Sequence, residues 1–143
     1  MSTPAMPEPF ATIQDAIIDR LDAEGITAYD HRPVELYGVP SAYLVASDVA
    51  PSYRRADQGE LGVGSVSYQL QYFVDFGESE QVATAVALSG VRSIFAALSG
   101  ATLGGRVRDC EIQSVRIDPI EWGAGRRPML MVDVAVVVKP AQY

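Results

Sequence analysis

The sequence predicts an α+β fold in which two helices pack on a mixed or mainly antiparallel sheet of about five strands, in the order α-β-β-β-α-β-β. Three observations carry that prediction. Helical periodicity is confined to Phe10–Glu24 and Glu78–Ser99, a two-residue alternation runs through Ser65–Phe76, and Met129–Lys139 is a nearly unbroken apolar run. At 143 residues the chain sits near the commonest domain size, so residues 10–143 are expected to share one core. Residues 1–9 carry Pro4, Pro7 and Pro9 and are expected to form a flexible tail, not a secretory signal.

In the first helix, Phe10, Ile13, Ile17 and Leu21 fall on one stripe with Ile18 at its margin, and Gly25 marks the stop. Asp15, Asp19 and Asp22 occupy the opposite face, so this helix covers a core with one side only. Two short strands are expected at Ile26–His31 and Ala42–Ser47, separated by the loop Arg32–Ser41 with Pro33, Gly38 and Pro40. Residues 49–64, with Pro51, Gly59, Gly62 and Gly64, read as a long irregular segment that orders on docking. In Ser65–Phe76, Val66, Tyr68, Leu70, Tyr72, Val74 and Phe76 define a core face. The other face is polar but nearly uncharged, suiting a hydrated lumen, a subunit contact or plain solvent.

The second helix, Glu78–Ser99, has Glu78 and Glu80 near its start and Gly100 after its end. Its apolar residues spread over roughly 200° of the circumference, wider than a one-sided stripe. Its own sheet is expected to cover one side, and another subunit or the first helix and long loop the other. After Gly104-Gly105, Arg106–Asp118 reads as a strand whose alternation slips between Ile112 and Val115, the mark of a bulge. Pro119 is expected to end it and residues 119–128 to form a loop, before Met129–Lys139 as a strand covered on both faces.

The formal charge of −7 and pI near 4.5 argue against a phosphate-neutralising surface. No run reaches the roughly 18 consecutive apolar residues of a membrane span. Cys110 is the only cysteine, which excludes an intramolecular disulfide and a multi-thiolate metal site and fits a reducing compartment. His31, the only histidine, follows Asp30, but successive strand residues point to opposite faces, so the two are not expected to pair. Gly59, Gly62 and Gly64 precede a strand and lack the lysine of a phosphate loop, and nothing indicates that Asp118 or Glu121 is desolvated. No catalytic, cofactor or metal site is predicted, and the chain does not read as an enzyme.

The candidate functional residues are instead of docking type. Tyr53, Arg54 and Arg55 lie in the first long loop, Val91 and Phe95 on the second helix, and Trp122, Arg126 and Arg127 around Gly123 and Gly125. Aromatic residues with arginine are enriched where binding energy concentrates.

Taken in order, the helix ATIQDAIIDRLDAEGI, the segment AYDHRPVELYGVP, the strand SVSYQLQYFVDF, the helix end VRSIFAALSGATLGG and the final strand pair resemble the tail terminator proteins of long-tailed bacteriophages. The resemblance covers about residues 10–139. It implies a virion protein, assembled in the host cytoplasm, that forms a six-membered ring on the head-proximal end of the tail tube. Such a ring stops tube polymerisation and provides the head-joining surface. The implied partners are further copies of the chain, the tail tube protein and a head–tail connector or neck protein, with DNA only passing through the channel and no membrane. The resemblance brings no catalytic residues. The alternatives are another neck or tail-completion protein, or a dimeric ligand-binding α+β domain unrelated to phages.

Overall fold

The computed structural model describes residues 10–33, 36, 38–51, 63–77, 79–105 and 107–140. The elements are α1 (Phe10–Ala23), β1 (Ala28–Tyr29), β2 (Ser41–Pro51), β3 (Val63–Asp75), α2 (Glu80–Leu98), β4 (Val107–Trp122) and β5 (Arg127–Pro140). They form an α+β fold in the predicted order. The strands make one sheet ordered β1-β2-β3-β5-β4, antiparallel except for the short parallel pair β1–β2.

Both helices lie against one face of that sheet. Even-numbered residues of β3 and β5, among them Val66, Leu70, Val132, Val134 and Val136, are fully buried there with Ile13, Ile17 and Leu21 of α1 and Ala87, Ile94 and Leu98 of α2. Each such aliphatic side chain contributes about 1.5–3 kcal/mol on burial. The acids Asp15, Asp19 and Asp22 are exposed on the outer side of α1, as its amphipathic pattern requires. This helix ends in a Schellman motif: Ile26 donates its N–H to Leu21 (2.9 Å), Gly25 to Asp22 (3.0 Å), and Gly25 takes φ +85°. Gln14, buried on the same helix, donates to the Asp30 carbonyl at 3.0 Å and ties α1 to the end of β1.

The start of α2 is set by Ser79, whose extended backbone lets its Oγ accept from the Val82 N–H at 3.2 Å. The inner side of α2 is lined by small residues, Ala83, Ala87, Gly90 and Ala97. They let the helix sit close to the sheet. A Cβ built on Gly90 would stand 2.3 Å from Cε1 of Tyr72.

Several boundaries differ from the sequence expectation. β1 is only two residues, while β2 and β3 reach into the segment expected to be irregular: Val49–Pro51 and Val63–Gly64 are strand. Residues 52–62, like the expected tail at 1–9, lie outside the described residues. β4 has two register shifts: one between Ile112 and Ser114, where the alternation slips, and a second, not expected from the sequence, between Val107 and Asp109. Pro119 does not end β4, which continues opposite Leu130 and on to Trp122. β4 is an edge strand, and an edge accepts a residue without an N–H because one of its sides has no neighbour to receive it. The expected loop at 119–128 is therefore the closing end of a β4–β5 hairpin, whose turn holds Gly123 at φ +79° and Arg126 at φ +51°. β5 is not covered on both faces: alternate residues Asp133, Ala135 and Val137 stay half-buried opposite the helices.

Candidate functional site

The helix-free face of the sheet divides into two halves. At the end holding the β4–β5 turn, Tyr43, Phe73 and Met129 form a second small core, joined by Tyr29, Leu36, Val39, Ile120, Trp122 and Met131. Its rings touch in series: Tyr29 stacks on Tyr43 at 5.5 Å, while Tyr43 meets Phe73 at 5.8 Å and Phe73 meets Trp122 at 5.1 Å between centroids, both edge to face. Trp122 is thus half-buried against Phe73 and fastens the hairpin to the sheet, with its Nε1 buried and without a hydrogen-bond acceptor. Arg127 bonds the Asp75 carboxylate across the neighbouring strand, which holds Asp75 below the usual carboxylate range and raises Arg127. Arg126 and Arg127 are both exposed, and of the two only Arg127 is held by a carboxylate. A cleft of about 240 Å³ lies between this hairpin and Leu36.

The other half of that face is polar. Gln69 Nε2 donates to both carboxylate oxygens of Asp133 at 3.2 Å, and Gln71 accepts from Arg32 while its amide faces Met131 Sδ at 3.4 Å. Arg116 bridges to Asp118 at 3.4 Å. The sequence reasoning missed Arg32 and Asp133. Asp133 had a visible signal, since it is the one acid in the apolar run of β5. Arg32 had none, because its partner is 39 residues away.

The second candidate surface is α2. By length and composition alone this helix could cross a membrane; here its inner side packs on β3, β5 and β4. On its outer circumference Val82, Val86, Leu88 and Phe95 are exposed, the last two at 54% and 42%. α1 lies along one flank, where Arg20 donates to the Ala97 carbonyl at 3.0 Å, and Gly25 and Ile26 face Val82, Val86 and Ser93 across a groove of about 440 Å³. At 100° per residue, Leu88, Val91 and Phe95 fall on the opposite flank, away from α1. Val91 is half-buried against the core and Phe95 is not. The broad apolar arc therefore has one side on the sheet, part of its remainder beside α1, and an uncovered flank.

Of the predicted docking residues, the structure brings Trp122 and Arg127 together at the hairpin with Arg126, and Val91 with Phe95 on α2. Tyr53, Arg54 and Arg55 lie outside the described residues. Asp30 and His31, expected not to pair, do pair, with Nδ1 to Oδ1 at 2.8 Å. β1 ends at Tyr29, so the alternation of a strand no longer separates them. Both side chains are more than half exposed, making this a surface contact. Asp118 and Glu121 both lie on β4, three residues apart and so on opposite faces of the strand. Among the described residues, no three metal-ligating side chains cluster.

No protein-family model and no curated protein matches the chain. Among solved structures it is similar to a chain of the virion of a native gene transfer agent particle, with a TM-score of 0.59 and 19% identity. The match covers 96% of this chain and 100% of that one. At that identity the likeness is one of fold, and it spans both chains almost end to end.

Proposed function

We propose that this chain is a structural protein of a phage-like virion that assembles with copies of itself into a ring, and that its place is that of a tail terminator. The observation that carries the reading is the uncovered apolar flank of α2, Leu88 and Phe95 with Val91, on a fold shared along its whole length with a virion chain. Exposed apolar surface of this kind marks a protein–protein contact, and a head-to-tail contact between identical copies whose rotation closes makes a ring. The terminator role and the number six come from the sequence resemblance. Six copies at −7 each give the ring a formal charge of −42, a net field that opposes adhesion of duplex DNA passing through it.

Light scattering and negative-stain imaging of the purified full chain test the ring: a closed oligomer of about six copies is expected, and a persistent monomer overturns it. Removing the gene from a particle-producing strain tests the role. Tubes of uncontrolled length without heads are expected, whereas tails of normal length that fail only at head joining would assign the chain to the neck.

A further inference from the structure

Resting on the ring reading, we propose that neighbouring copies join edge to edge, the outer edge of β2 in one copy pairing antiparallel with the outer edge of β4 in the next to continue the sheet. The register of the five strands places the open parts of the two edges at the same height. Following the pairings across the sheet, Leu44 aligns with Leu70, Val134 and Val115, and Val49 with Val66, Val138 and Cys110. β1 covers β2 only at Ala42 and Tyr43, and no strand among the described residues pairs with the outer side of β2 beyond them. From Val45 to Pro51 every residue of β2 is exposed. On the opposite side, Pro119 interrupts the β4 edge opposite Leu130, beyond the height at which β1 blocks β2. Both obstructions, the short strand and the proline, thus sit towards one end, and among the described residues both edges are open at the other.

Direction agrees with position. β2 and β5 run one way and β3 and β4 the other, so a second copy placed beside the first in the same orientation sets its β2 antiparallel to β4. The two edges differ, which makes the contact head to tail, the type that continues beyond a dimer and closes into a ring when the rotation per copy permits. The flank of α2 that carries Leu88 and Phe95 lies away from α1, and on β4 the helix-side residue Ile117 is 36% exposed. In the joined sheet the helix layer of the next copy, led by its α1, abuts this flank. One neighbour then covers both the open edge and the apolar residues beside it.

The test uses engineered cysteines on the full chain. Val45→Cys is combined in turn with Glu111→Cys, Ser114→Cys and Arg116→Cys, all on the helix-free face. Within one copy β2 and β4 stand three strand spacings apart, about 14 Å. A disulfide needs Cα atoms within about 7 Å, so any link is between copies. Cys110 is 1% exposed and does not interfere. At least one pair is expected to give a ladder of linked species ending in the closed ring, and neither partner alone to do so. Val49→Pro sets a proline ring on the outer edge of β2, where the N–H is engaged by the Asp48 carboxylate within one copy (2.9 Å), so it acts by obstructing the approach of β4; a monomer by light scattering that is folded by circular dichroism is expected. If that variant does not fold, the cysteine pairs decide. A ring that survives Val49→Pro, pairs that never link, or single variants that link as well as pairs each overturn the edge junction and leave the ring reading standing. A wild type that stays monomeric at the same concentration overturns the ring reading and the junction with it.

Discussion

The two faces of the sheet are built by different chemistry. On the helix side, aliphatic residues from every long strand meet Ile13, Ile17, Leu21, Ile94 and Leu98 in one continuous dry layer. On the other side, only one end is packed by rings and thioethers around Phe73, and the rest is a set of partly buried polar pairs. The first layer holds the fold. The second fastens one hairpin and one loop to it. Trp122, chosen from sequence as a docking anchor because of its type and its neighbours, belongs to that fastening, and Arg127 is engaged by Asp75. Of the three, Arg126 is left as a side chain with no role in holding the hairpin.

The comparison breaks first if the layers prove equal in weight. Ile17→Ala, emptying a fully buried site, is expected to cost about 2–5 kcal/mol by denaturant unfolding. Trp122→Ala removes a half-buried ring on the other face and should cost less, about 1–3 kcal/mol. A larger loss for Trp122 would make the aromatic cluster the principal core. Gly90→Ala probes how closely α2 is seated: the new methyl meets the Tyr72 ring, and a loss of about 1–3 kcal/mol is expected, against the small gain that alanine gives an open helix site.

Alkaline pH separates the faces further. Burial pushes the Tyr68 hydroxyl up to about 12, and burial aided by the Asp109 charge pushes the Cys110 thiol up to about 11. Both groups are held in their protonated forms by the fold, so their contribution is complete below the ordinary values of 10.0 and 9.0 and is lost as pH rises through about 12 and about 11. Unfolding followed by circular dichroism should set in across that window, with Cys110 inert to thiol reagents at pH 8 until the chain unfolds. The smallest effect is expected at Arg126→Gly, which suits φ +51° and should leave the melting temperature unchanged or slightly higher. Its use is as an assembly probe. If rings form normally, the hairpin tip is not a contact.

The sequence by itself determined the class, the order of elements, the two helices with the glycines that follow them, the core face of β3 and a bulge in β4 between Ile112 and Val115. These follow from local periodicity and from residues whose backbone preferences act over a few positions. The Ser79 cap of α2 came only with the structure. Only the tertiary structure decided where β4 ends, because a proline stops a strand or not according to whether the strand is at an edge, and edge position is a property of sheet order. The same holds for Trp122 and Arg127, whose residue types suit an interface and an internal contact equally until Phe73 and Asp75 are brought beside them. The pairing of Asp30 with His31 turned on β1 stopping two residues early, after its second pairing with β2. Alternation along a strand says which side chains share a face, but strand order decides what that face meets.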